Sequence, residues 1–455
     1  MLTALAFATI AVLLVLLLSN RVSAVVALIS VPLAAAALAG FGPGEITGFV
    51  SAGVGGVVGT VAMFVFAILF FGVMRDAGLF DPVVERVLRF AGRDPVTISV
   101  ATVVLAMACH LDGAGATTFL ITVPAMLPLY EALGMRRLLL AALAGLGAGV
   151  MNLVPWGGPA ARAATTVGTG ANDLWTPLVP AQAVGIVAAI AVAYLLGRRE
   201  RRRLAAATEA TGATAATEAT AATEATGAGP VGADAGGPRH TASEHARPRL
   251  FWVNAAVTAA VVGVLIWGVL SPELVFMIGL VAALVVNYPG MRAQTERINA
   301  HAQGAVLMAS TLLAAGVFLG VMEESGMIEA MASSLTGAVP QAAGPALPLV
   351  VGALGVPMSL LFGPDAYYFA VLPVLDAVGA GFGADPDALA RASLVGQETV
   401  GFPISPLTGS FFLLTGLARV PIGAHIRFLL PWAWLVSLIM LAAAVLTGAV
   451  PAWTG

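Results

Sequence analysis

Leu127-Pro128-Leu129-Tyr130-Glu131-Ala132-Leu133-Gly134 and Leu372-Pro373-Val374-Leu375-Asp376-Ala377-Val378-Gly379 match in residue type and spacing at an offset of 245. They are two copies of one repeat. Each copy follows a polar, glycine-rich interruption of apolar sequence, Asp112 to Thr118 in the first half and Gly363 to Asp365 in the second. Each also precedes a second interruption, Asn152 to Pro159 and Gly401 to Pro406, and Pro155 and Pro403 lie 248 apart, as do Gly72-Val73-Met74 and Gly320-Val321-Met322. Hydrophobic segments broken at matching positions of two halves point to a secondary transporter, because unwound backbone at membrane depth persists only where it is buried in protein or lines a cavity.

Composition supports a membrane protein without the motifs. Hydrophobic residues make up 59% of the 455 and charged residues only 10%, with many apolar runs near the ~20 residues that a spanning helix needs. The basic residues are all Arg, so the Lys of a phosphate-binding Walker loop is missing and no ATP-driven engine is expected. Cys109 is the one cysteine, which excludes an intramolecular disulfide and a cysteine metal cluster. The net charge of −3, confined to loops, gives no reason to expect a nucleic-acid partner. Residues 2 to 18 lack a basic start and a small-residue cleavage site, so they are expected to be a first span rather than a signal peptide.

The predicted fold is an all-α polytopic membrane protein, an inverted-repeat transporter with about 10 transmembrane helices, two re-entrant hairpins and two broken helices. Spans are expected near 2–19, 22–40, 49–73, 137–170 and 177–197, then 251–270, 273–288, 298–322, 388–418 and 427–448. The hairpins fall at 95–133 and 343–380, and segments 75–93 and 323–337 should lie at the interface. Five crossings per half is odd, so the halves must be inverted. The domains are then 1–203, a first transmembrane repeat; 204–249, a disordered cytoplasmic linker rich in Ala-Thr-Glu with few large apolar side chains; and 250–455, the second, inverted repeat. With the N-terminus outside, 19 of the 21 arginines fall on the cytoplasmic side, while Glu45, Asp173, Glu273, Glu323 and Glu324 face the other way. Both termini are therefore expected outside a cell membrane that the chain crosses many times.

The chemistry must lie in the few polar residues at membrane depth, where a charge costs roughly 2.5 to 3.5 kcal/mol on insertion scales. Asp112 and Asp365 stand at the two hairpin tips, Arg162 and Glu398 flank the two helix breaks, and His110 is close by. These carboxylates and His110 are candidates for metal approach or proton coupling; the plainer reading is that Arg162 neutralises Asp112 or Glu398. The second half of a broken helix presents free N–H groups and a positive dipole end, and Gly157-Gly158 lets ligand oxygens approach the backbone. Thr117, Thr118, Asn152, Trp156, Arg162, Tyr367, Ser405, Thr408 and Ser410 complete a substrate site suited to carboxylates. Gly53, Gly55, Gly56 and Gly59 suggest close helix packing.

The run His110-Leu111-Asp112-Gly113-Ala114-Gly115-Ala116-Thr117-Thr118-Phe119-Leu120-Ile121-Thr122, the run from Asn152 through Arg162, and Phe362-Gly363-Pro364-Asp365-Ala366-Tyr367-Tyr368-Phe369 resemble those of the CitMHS family, the citrate-metal:proton symporters. The resemblance spans both halves and leaves out only the linker. It implies uptake of citrate complexed with a divalent cation of the Mg2+ or Ca2+ class, coupled to protons, with no permanently bound cofactor. It also implies the ion-transporter scaffold of two hairpins and two broken helices, and a homodimer with an elevator motion. A cation/proton antiporter or another organic-anion symporter on the same scaffold remains the alternative. An enzyme is not expected, since neither H-E-x-x-H nor G-x-S-x-G occurs.

Overall fold

The computed structural model describes residues 2–19, 21–92, 94–218, 245–336 and 344–452, with the backbone alone over 207–218. Every regular element among them is helical. The first half runs α1 (Leu2–Ser19), α2 (Ala24–Ala39), α3 (Pro43–Asp76), α4 (Asp81–Ala91), α5 (Pro95–Cys109), α6 (Gly115–Ala132), α7 (Arg137–Met151), α8 (Gly158–Val167), α9 (Ala171–Trp175) and α10 (Val179–Glu218). The second half runs α11 (Phe251–Trp267), α12 (Pro272–Asn287), α13 (Met291–Glu324), α14 (Met327–Thr336), α15 (Leu347–Met358), α16 (Pro364–Ala366), α17 (Leu372–Ala380), α18 (Pro386–Leu394), α19 (Gly409–Ala418) and α20 (Ile422–Leu446). A π-helical turn, Tyr367–Val371, joins α16 to α17.

Among the described residues six helices are long and apolar enough to cross a membrane, including Pro43–Asp76, Met291–Glu324 and Ile422–Leu446. The chain is thus an all-α polytopic membrane protein with several broken helices. Shorter apolar helices such as Leu2–Leu17 and Arg137–Met151 accompany the six. The two 34-residue helices, α3 and α13, are each about 50 Å long at 1.5 Å per residue, well beyond a ~30 Å hydrocarbon core. They cross where Gly53 meets Gly316 and Gly320, so close that a Cβ on Gly53 would collide with the Gly316 carbonyl. Gly55, Gly56 and Gly59, read with Gly53 as a packing stripe, face open space instead. Lipid-facing helix needs no small residues, and only the crossing point does.

Local signals set the ends. Glu45 accepts from the Gly42 N–H at 2.7 Å at the start of α3, and Asp94 accepts from Val96 and Thr97 at the start of α5. The long helix α10 begins where span 177–197 was expected but passes the expected boundary at 203 and carries on to Glu218, over a stretch whose many Ala residues favour helix. Residues 219–244, most of the expected linker, lie outside the described residues. Where the chain is described again it docks on the body: the Arg247 N–H donates to Ala77 O at 2.9 Å, and its guanidinium lies 5.2 Å from the Tyr288 ring.

Two pairs of breaks face each other. Between α5 and α6 a 3-10 turn, His110–Asp112, and Gly113 at φ 72° reverse the chain. Between α15 and α16 residues 359–363 do the same. The paths α7–α8 and α18–α19 are each interrupted, at 152–157 and 395–408, and the second interruption holds a 3-10 turn, Phe402–Ile404.

Candidate functional site

The four interruptions meet at one cavity of about 310 Å³. Its walls include Gly113 and Gly115 from the first tip, Asn152, Gly158 and Arg162 from the first break, Pro364 from the second tip, and Glu398, Thr408, Gly409 and Ser410 from the second break. Gly115, Gly158, Pro364 and Gly409 are the first residues of α6, α8, α16 and α19. Four helical segments therefore begin at the cavity. Each start carries unpaired N–H groups and about half a positive charge of dipole, so the cavity is built to attract anions. Small residues are required there. A Cβ on Gly115 would stand 2.9 Å from Ser410 Oγ, and one on Gly113 would stand 3.1 Å from the Trp156 carbonyl.

Arg162 is the cationic side chain of this cavity. It sits one turn inside α8, where its Nη1 donates to Gly158 O at 3.0 Å, and its Nε donates to Asp365 Oδ1 at 2.6 Å. That ion pair ties the first break to the second tip. The guanidinium uses only part of its five-donor fork here. Asp365 is part-exposed on the far side of the pair, against a smaller space of about 130 Å³ lined also by Leu17 and Leu407.

Glu398 is the opposite case. The residue is 1% exposed, takes a left-handed φ of 52°, and neither carboxyl oxygen has a hydrogen-bond partner, although the Ser405 hydroxyl stands nearby. Its backbone is fixed firmly. The amide donates to Ser359 Oγ at 2.9 Å, and the carbonyl accepts from Asn152 Nδ2 at 2.8 Å. A strained, anchored backbone presenting an unpartnered carboxyl to a cavity marks a group held for a purpose other than packing.

Asn152 also orients His110. Because its Nδ2 donates to Glu398 O, its Oδ1 accepts, so His110 Nε2 at 3.2 Å is the protonated nitrogen. His110 Nδ1 then pairs with Thr118 Oγ1 at 2.8 Å, and Phe402 stacks on the imidazole at 5.6 Å. This row of buried contacts braces the cavity from behind.

Asp112 does not face Arg162. Its Oδ1 accepts from the Ala114 N–H at 2.8 Å, and its Oδ2 lies 3.5 Å from Arg75 Nη1, which also donates to Thr117 Oγ1 at 2.9 Å. The expectation that Arg162 neutralises Asp112 or Glu398 gives way to an Arg162–Asp365 pair. Of the other residues named from sequence, Asn152, Gly158, Arg162, Thr408, Ser410 and Glu398 line the cavity. Trp156 lies behind it, its indole N–H donating to Leu111 O, and Gly157 packs on the Asn152 and Val154 carbonyls. Tyr367 is turned away from it, fully buried with its hydroxyl 2.9 Å from Ser393 Oγ. Ser405 serves the break itself, accepting from the Leu407 N–H at 3.4 Å.

The citrate transporter family, CitMHS, matches residues 3–396. This chain belongs to that family. A citrate transporter of Bacillus subtilis strain 168 is 41% identical over 98% of this chain and 99% of its own length. A Mg2+/citrate complex secondary transporter of the same organism is 39% identical over 99% of each. The crystal structure of the Alcanivorax borkumensis YdaH transporter, described as having an unusual topology, matches at a TM-score of 0.56 and 17% identity over 87% of this chain and 86% of its own. That last likeness concerns the fold. The CitMHS chain is a multi-pass secondary transporter and not an enzyme.

Sequence reasoning missed Arg75, Met308, Phe402 and Leu407. The last three reach the cavity as apolar wall, which no polar-residue search finds. Arg75 ends a span, where it reads as one more cytoplasmic arginine. Among the described residues no three His, Cys, Asp or Glu side chains come together as a metal cage. Asp112 and Asp365 are held by different arginines, Arg75 and Arg162, and Glu398 is paired with neither.

Proposed function

We propose that this transporter carries citrate complexed with a divalent cation across the membrane in symport with protons. The observation that supports the reading is the composition of the cavity at the four breaks: four helix starts and Arg162 for an anion, facing one unpartnered carboxyl, Glu398. Citrate bound to one divalent ion has about one net negative charge. The complex suits a site with both signs better than the free trianion does, and oxygen ligands suit Mg2+ and Ca2+. In this reading the guanidinium and the starts of α8 and α19 hold the citrate carboxylates, Thr408 and Ser410 add hydroxyls, and the metal arrives as cargo with its own citrate and water oxygens.

Glu398 takes the coupling proton. Asp112, the other candidate, is already paired with Arg75 and Ala114, whereas Glu398 has no cation in contact to hold its charge. Moving one charge against 100 mV costs about 2.3 kcal/mol, which a co-transported proton offsets. The arrangement is read as two inverted repeats in which α5–α6 and α15–α17 are re-entrant hairpins. Both termini are then external, the 204–249 linker is cytoplasmic, and the protein works as a homodimer.

Reconstituted uptake of labelled citrate tests the substrate. Uptake should require Mg2+ or another divalent ion, fall when a chelator removes it at constant citrate, and weaken in apparent affinity in Arg162→Lys, whose ammonium cannot form the two-pronged contact. Citrate uptake that persists in chelator overturns the metal-complex reading. Unchanged affinity in Arg162→Lys removes Arg162 from the anion site.

A further inference from the structure

Arg75 lies outside the cavity, yet it is the hub of a chain of polar contacts that ends at the cavity wall. On one side its Nη2 is 3.5 Å from His301 Nδ1. His301 Nε2 is 2.8 Å from Asp76 Oδ2, which Arg297 Nη1 also reaches at 3.0 Å. All of these residues belong to the ends of α3 and α13, which pack so closely that the His301 ring fills the space beside Gly72. On the other side Arg75 Nη1 donates to Thr117 Oγ1 at 2.9 Å and faces Asp112 at 3.5 Å.

Asp112 transmits the contact. Its side chain is 5% exposed, and its second oxygen accepts from the Ala114 N–H at 2.8 Å, one residue before the start of α6. Gly113 and Gly115, on either side of that amide, form cavity wall. The tip is thus gripped at two points, at Asp112 in the reversal and at Thr117 in the first turn of α6, by one guanidinium seated where the end of α3 packs on His301 of α13.

We infer that Arg75 is a positioning residue: it acts through Asp112 and Thr117 to set the first hairpin tip, and so the start of α6, from outside the ligand cavity. It is not among the residues that line the cavity, so it acts on the tip from behind. The corresponding place in the second repeat is Glu323, next after Gly320-Val321-Met322, and Glu323 is exposed and in no ion pair among the described residues. The second tip has no such external clamp there. The inference does not depend on which substrate the cavity takes.

Hydrogen exchange on the purified full-length protein tests it. In Arg75→Gln, amide exchange across 110–118 should quicken at least tenfold, while exchange across 363–371 stays within twofold. Arg75→Lys, which keeps one charged donor, should fall between. Thr117→Val removes a single bond, and should quicken the same peptide without a change in melting temperature. A double-mutant cycle adds a binding readout with citrate plus Mg2+ as probe: Arg75→Gln and Asp112→Asn should each weaken binding about tenfold, and together no more than either alone. Unchanged exchange across 110–118, or equal loosening of both tips, overturns the assignment, and so does full additivity in the cycle. Absence of any citrate binding would count against the substrate reading only, leaving the exchange result to decide on Arg75.

Discussion

The two tips hold equivalent places in the repeat but differ in sequence and are opposite in wiring. At the first, Asp112 is held by Arg75 from the end of α3, outside the cavity. At the second, Asp365 is held by Arg162, which itself borders the cavity. The positions that match across the repeat explain the difference. Arg162 corresponds to Ser410, Arg75 to Glu323, and Glu398 to Val150, so each half contributes charge where the other is neutral or of opposite sign. A site for an object with both signs cannot be built from two identical halves. The repeat supplies four helix starts by symmetry, and the departures from it supply the charges. An arriving carboxylate can compete with Asp365 for Arg162, whereas nothing in the cavity competes with Asp112 for Arg75. On the proposed function, then, the second tip should respond to ligand and the first should stay fixed.

Removing the cavity guanidinium should give the largest effect. Arg162→Gln loses the anion partner and leaves Asp365 without its 2.6 Å counter-ion, so citrate uptake at low concentration should fall at least ~100-fold, about 2.7 kcal/mol. Arg75→Gln should cost about tenfold. Equal losses in the two variants, measured as initial rates in proteoliposomes, would erase the distinction between the tips. Next in size is Glu398→Gln. An amide keeps the shape of the unpartnered carboxyl but carries no proton, so stimulation by an inward pH gradient should disappear while exchange of preloaded citrate continues. A gradient response that survives at wild-type size would move the coupling proton elsewhere.

Much of this site could be read from the chain alone. The repeat located both tips and both breaks, and polar residues at membrane depth named Asp112, Arg162, Asp365 and Glu398. What could not be read was who faces whom. Tyr367 follows Asp365 by two residues, and on a helical path positions i and i+2 point to different faces; one turns to Arg162 and the other to Ser393. Arg75 precedes Asp112 by 37 residues, and only the path of α3 past the first reversal brings them together. The glycines of α3 teach the same lesson, since identical residues at 53 and 56 differ in what stands opposite. Gly53→Ala should destabilise the α3–α13 crossing by about 1–3 kcal/mol, seen as a lower melting temperature in detergent. Gly56→Ala, facing open space, should be neutral or slightly stabilising.

The smallest effect is the most discriminating, because its sign differs between the tips. Asp365 occupies part of the Arg162 fork that the ligand needs, and its pair is partly open to solvent, with the two side chains 13% and 27% exposed. A pair of that kind contributes little stability, on the order of 0–1 kcal/mol. Asp365→Asn should therefore leave the fold intact and free the guanidinium, tightening citrate binding by about two- to fivefold. Asp112→Asn should do the reverse, because Asp112 is not among the cavity-lining residues and its loss loosens a wall. Isothermal titration of the two variants with citrate and Mg2+, at one pH and salt concentration, compares them directly. If Asp365→Asn weakens binding as Asp112→Asn does, then Asp365 supports Arg162 rather than competing with the ligand for it, and the second tip is as fixed as the first.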